Sequence, residues 1–104
     1  MLLQVAEPPE CNVRVITADP DPNLIASTVF GLAWSDITFV ELWVDDEHSM
    51  CGSGSLRHGL AGSYWEGDRQ YVSERPLDSL EEMVELLQSY RAGDNKWREM
   101  IGWE

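Results

Sequence analysis

The residues best suited to chemistry gather mid-chain, where Cys51-Gly52-Ser53-Gly54 lies between His48 and His58. A thiol with a nearby imidazole can form a nucleophile and its base. That chemistry needs a helix N-terminus or a cation to stabilise the thiolate, and a third group to orient the base. No helix start follows Cys51, and no orienting residue is evident. Cys51 therefore reads as a partly buried thiol in a Gly-rich turn. His48, Cys51 and His58 together with Cys11 could supply four zinc ligands, but their spacing matches no standard pattern. The two histidines read instead as solvent-facing. The run GSGSLRHG lacks the Lys-Ser/Thr ending and the following helix of a phosphate loop. Zinc-deaminase chemistry needs H-x-E and P-C-x-x-C, and neither is present. With no complete acid, base, nucleophile or metal set, the sequence predicts a protein that is not an enzyme, with no cofactor and no small-molecule substrate.

Charge points elsewhere. Nineteen acids face seven basic residues in 104, a formal net charge of −12. Such a surface repels nucleic acid and anionic membranes. It suits a basic protein partner, or it serves solubility alone. The acids fall in three groups: Asp45-Asp46-Glu47, Glu66 with Asp68, and Asp78, Glu81, Glu82 and Glu85. Trp65 and Tyr64 adjoin the second group. Large aromatics ringed by acids suit an interface hot spot, although Trp65 could equally pack against a helix. The candidate partner-binding set is Asp45, Asp46, Glu47, Tyr64, Trp65, Glu66 and Asp68.

The element that organises the chain is LDSLEEMVELLQSYRAG, residues 77–93. Leu80, Met83, Val84, Leu87 and Tyr90 recur at helical spacing and share one face. Asp78 suits the N-cap, with Glu81 in a capping-box position. Arg91 and Gly93 suit the C-terminal end. A helix over 79–91 is too short to persist alone, so its apolar face must dock. Its acids span the opposite arc.

The other elements follow in order. Residues 1–11 are poorly patterned, and Pro8-Pro9 predicts a loose or edge segment. NVRVIT, 12–17, reads as a strand. Asp21-Pro22 can start a helix running to about Trp34, with Leu24, Ile25, Thr28, Val29 and Leu32 on one face; a strand through IASTVF is the rival. In ITFVELWV, 37–44, Thr38, Val40, Leu42 and Val44 form an apolar face, with Ile37, Phe39, Glu41 and Trp43 on a mixed one. The glycines of HSMCGSGSLRHGLAG suggest loops, bulges or frayed strand ends. Residues 63–72 read as a hairpin that sets Tyr64 opposite Tyr71 and Glu66 opposite Arg69. The alternation in KWREMIGW predicts a last strand at the sheet edge. The N-terminus lacks a signal-peptide pattern and no apolar run is long enough for a transmembrane span. The expectation is one cytoplasmic α+β domain over 1–104, an antiparallel sheet crossed by the 79–91 helix, with both cysteines as thiols.

In this order of elements, YVSERPLDSLEEMVELLQSYRAGDNKW resembles the immunity proteins of bacterial polymorphic-toxin systems, specifically the family associated with nucleic-acid deaminase toxins. The resemblance runs over residues 62–103. It implies an α+β fold and a non-enzymatic protein that binds a cognate toxin, blocking its active site or substrate path. It carries over no set of functional residues, so the candidate site rests on charge. A toxin acting on DNA or RNA needs a basic groove, and an acidic inhibitor gains on-rate and specificity from complementary charge. The alternative is a phage or mobile-element inhibitor that mimics nucleic-acid charge.

Overall fold

The computed structural model describes residues 1–7, 12–34 and 38–104. The elements are β1 (Leu2–Ala6), β2 (Arg14–Thr17), α1 (Pro22–Gly31), β3 (Thr38–Trp43), β4 (His48–Ser55), β5 (Gly59–Glu66), β6 (Arg69–Val72), α2 (Leu80–Ala92) and α3 (Lys96–Met100). The strands form one antiparallel sheet in the order β2-β1-β3-β4-β5-β6. The fold is α+β, with α2 packed on the sheet and flanked by α1 and α3. No described helix is long and apolar enough to cross a membrane.

The α2 helix forms as its pattern demands. Met83, Val84 and Leu87 are buried, joined by Leu86, with Leu80 and Tyr90 packed at the margin. The cap lies one residue later than expected: Ser79 Oγ, not Asp78, accepts from Glu82 N–H at 3.1 Å. Glu82 reaches back to accept from Asp78 N–H at 3.0 Å, so the reciprocal pattern is kept in a shifted register. Gly93 ends the helix at φ 73°, in the left-handed region that favours glycine. α1 is a helix rather than a strand. Asp21 caps it by accepting from Leu24 N–H at 2.8 Å, Pro22 occupies the first turn, and Ile25 and Val29 are fully buried. Arg91 donates to the Pro20 carbonyl, and Gln88 donates to the Pro22 carbonyl at 2.9 Å. These bonds pin the start of α1 to α2.

Three expectations need correction. The N-terminal segment is not loose or at an edge: β1 lies inside the sheet, and Leu3 and Val5 are fully buried. Five residues are too few for alternation to stand out, while Pro8 and Pro9, which suggested the break, lie outside the described residues along with Cys11. The Gly-rich run forms two eight-residue interior strands, β4 and β5, not loops. Gly52 and Gly62 are cross-strand partners on the face beneath α2. A Cβ at Gly52 would lie 2.4 Å from the Met83 sulfur, and one at Gly62 would lie 3.3 Å from the Trp103 ring. The glycines are therefore a seat for the helix. Last, KWREMIGW is not an edge strand. Asn95 at φ 63° turns the chain, Ser89 Oγ accepts from Trp97 N–H at 3.0 Å, and α3 follows. Trp97 and Ile101 are buried together because a spacing of four satisfies both a strand and a helix. The edge is closed only by the final residues, where Val72 and Glu104 exchange backbone hydrogen bonds at 2.9 Å and Ser73 bridges Trp103.

Candidate protein-binding face

The β3–β4 turn is built on Asp45. Its Oδ1 accepts from the backbone N–H groups of Glu47 at 2.8 Å and His48 at 2.9 Å, and lies 2.8 Å from His48 Nδ1. The His48 ring, then the Glu47 N–H, hold the Asp45 carboxyl below the usual carboxylate range. In return Asp45 raises the His48 imidazole above its ordinary value. Across the next hairpin, Gly67 takes φ 64° and donates its N–H to the Glu47 carbonyl at 2.9 Å. That bond joins the β3–β4 and β5–β6 turns into one end of the sheet. The first two acidic groups are thereby brought together.

Their members are not equivalent. Glu66 lies opposite Arg69 in register, as expected, but its carboxylate pairs with Arg98 of α3 at 2.7 Å. Asp45 is occupied within its turn. Asp46, Glu47 and Asp68 are exposed, and no ion pair among the described residues engages them. The third group is on the helix layer. There Glu82 forms two 2.9 Å bonds with Arg75, which hold its carboxyl below the usual range, and Glu81 and Glu85 are exposed on α2.

The aromatic members also separate. Tyr64 is 5% exposed and belongs to the core: it stacks on Tyr71 at 4.8 Å and meets Trp97 and Trp103 edge-on at 4.6 and 4.9 Å. It cannot contact a partner, and leaves the candidate set. Trp65, its strand neighbour, points to the opposite face of the sheet and does not pack against a helix. It stays partly exposed. Cross-strand register sets Trp43, Ser49 and Trp65 in one row, with Leu2 beyond Trp43 and Gln70 beyond Trp65. Ser49 is 1% exposed, walled in by the indoles on either side. The Trp43 Nε1–H is buried with no acceptor among the described residues. A groove of about 260 Å³ runs beside Trp43, lined by Leu2, Gln4, Asp45 and Asp46 among others.

No family model, no curated protein and no solved structure matches the chain. Its chemistry must therefore be read from its own geometry. Cys51 lies on the helix-free face between Glu41 and Ser63 in register. Burial, reinforced by the Glu41 charge, pushes its thiol up to about 12. A neutral thiol of this kind is a poor nucleophile. His48 is committed to Asp45, and His58 sits in the β4–β5 turn at the other end of β4. Among the described residues no three His, Cys, Asp or Glu side chains are placed to share a metal. The arrangement offers contact area and negative charge.

Trp43 is the member that sequence reasoning missed. The signal was present in ITFVELWV, whose alternation puts Trp43 on the mixed face with Phe39 and Glu41. Its distance from Trp65 along the chain hid the pairing that β4 creates.

Proposed function

We propose that this chain is a non-enzymatic inhibitor that binds a cognate bacterial protein toxin and neutralises it in the cytoplasm. The toxin acts on nucleic acid, by deamination or a related reaction, and presents a basic active-site surface. The observation that carries this reading is the Gly67–Glu47 bond, which gathers two acidic turns into one end of the sheet beside Trp43 and Trp65. An acidic end attracts the groove that a nucleic-acid enzyme needs for its substrate. Partly exposed indoles supply the buried contact area that holds a complex once formed. The sequence resemblance of residues 62–103 to immunity proteins points the same way through its helix and Gly stop, while the Trp97 segment, a strand in that resemblance, is α3 here.

The test is co-expression with the product of the adjacent gene. Under this reading that product arrests growth alone, growth is restored by this chain, and the two co-purify as a stoichiometric complex. An adjacent product that is harmless, or one that remains toxic and unbound beside this chain, overturns the reading.

A further inference from the structure

Every helix among the described residues lies on one face of the sheet, and the other face presents the row of indoles. By register, its positions include Leu2, Phe39, Trp43, Cys51, Trp65 and Val72. Val15 in β2 is 60% exposed and Val72 in β6 is 43% exposed. Single exposed apolar residues such as these two, on opposite edge strands, are ordinary, but the pair of partly exposed indoles beside the acidic turns, on a face that no described helix covers, marks an interaction surface.

The charge distribution says what kind. Glu41 is the charged residue at these positions, and it accepts from Gln4 at 2.7 Å. None of the seven basic side chains belongs to the helix-free positions of the strands. Arg75, Arg91 and Arg98 are bonded within the helix side of the molecule, and Arg14 pairs with Glu7. At one end the face runs into Asp46, Glu47 and Asp68. The face thus carries its two indoles in the row beside its acidic end, a polar row of Gln4, Glu41, Cys51 and Ser63 across its middle, and no cations.

We infer that the helix-free face is the docking surface, and that its occupant is a protein with an apolar patch set on the Trp43–Trp65 row and a cationic margin set against the Asp46–Asp68 end. The identity of that occupant as the toxin rests on the function proposed above. The size is of the right order. Six strands about 4.8 Å apart, each four to eight residues of about 3.3 Å, project to roughly 550 Å² before the relief of the side chains is counted. A stable interface takes about 800 Å² per partner. A second copy of the chain is a poor occupant, because it sets one −12 surface against another.

The experiment measures binding of the adjacent gene product to wild type and three variants by surface plasmon resonance. Trp65→Ala removes an indole of that row, and Val72→Arg places a repelling cation at an exposed edge of the same face without opening the core. The Glu81→Lys/Glu85→Lys variant changes α2 on the helix layer. The expected result is at least about a tenfold loss for Trp65→Ala and Val72→Arg, with the α2 variant within about twofold of wild type. Circular dichroism confirms folding, and Val72→Arg carries the test where Trp65→Ala does not fold. Wild-type binding that both face variants retain overturns the inference and leaves the inhibitor reading standing. Absence of wild-type binding removes the reading, and the inferred occupant with it. A stable wild-type dimer in sedimentation equilibrium, split by Val72→Arg, overturns the inferred partner in favour of a second copy.

Discussion

Asp45 shows how far a residue's role depends on its bonds. Its carboxylate looks like one third of an acidic patch, yet it accepts three hydrogen bonds that shape the turn. The Asp45–His48 bond is strongest with the acid ionised and the imidazole protonated. His48 titrates above its ordinary 6.5, so its contribution is complete below pH 6.5 and fades as pH rises through the folded value. Asp45 titrates below 3.8, so its contribution holds above pH 3.8 and fades as pH falls through the folded value. The stabilising effect of His48 relative to His48→Gln should therefore peak between those limits and shrink above neutrality. Thermal melts of both proteins across pH check this, and a constant difference would show that the ion pair is not responsible. Cys51 makes a second residue-scale case. With its thiol pushed up to about 12, it should alkylate at pH 8 more than about tenfold slower in the folded protein than in urea. The measurement uses a Cys11→Ser background. Equal rates would mean that the thiol is open to solvent.

At the scale of elements, the sheet and α2 meet through two absent side chains. Gly52→Ala puts a methyl where the Met83 sulfur now lies. Met83 is fully buried, so it has little room to retreat. Overpacking of this kind costs typically about 1–3 kcal/mol. The converse change, Leu87→Ala, empties the same interface and should cost about 2–5 kcal/mol. Urea melts of both variants measure these costs, and changes below about 0.5 kcal/mol would place the helix elsewhere. The same interface explains what the sequence could and could not tell. α2, α1, β3 and the β5–β6 hairpin were legible because their periodicity, caps and turn residues act locally. β4 and β5 were not, because Gly52 and Gly62 break strand propensity for reasons that lie far along the chain, in Met83 of α2 and in the Trp103 ring. α3 was misread because Trp97 and Ile101 fit two periods at once. The candidate acids could be chosen by charge, but the burial of Tyr64, the pairing of Glu66 with Arg98 and the row from Trp43 to Trp65 exist only after the strands have paired.

At the scale of the whole molecule, the net charge of −12 is a statement about association. Oppositely charged proteins meet faster than neutral ones, and the gain falls as salt screens it. At about 0.15 M ionic strength the screening length is near 8 Å, so steering should weaken steeply above that. The on-rate for the proposed partner should therefore fall as salt rises, while the off-rate, which the proposed complex assigns to the indoles, changes less. Position decides which acids matter. Asp46 and Asp68 lie at the exposed end joined by the Gly67–Glu47 bond, so Asp46→Lys with Asp68→Lys should slow association and flatten its salt dependence. Asp45→Lys would give an ambiguous answer, since it also removes the bonds that form the turn. Glu66→Lys is compromised in the same way, because it strands Arg98 above the Trp97 ring at 4.4 Å. Glu81 and Glu85 on α2 carry the same charge at a different place, and their reversal alters the net charge equally. If steering depended on net charge alone, the α2 pair would slow association as much as the Asp46 and Asp68 pair. The proposed docking end predicts that the two reversals differ, and stopped-flow association at three salt concentrations reads that difference directly.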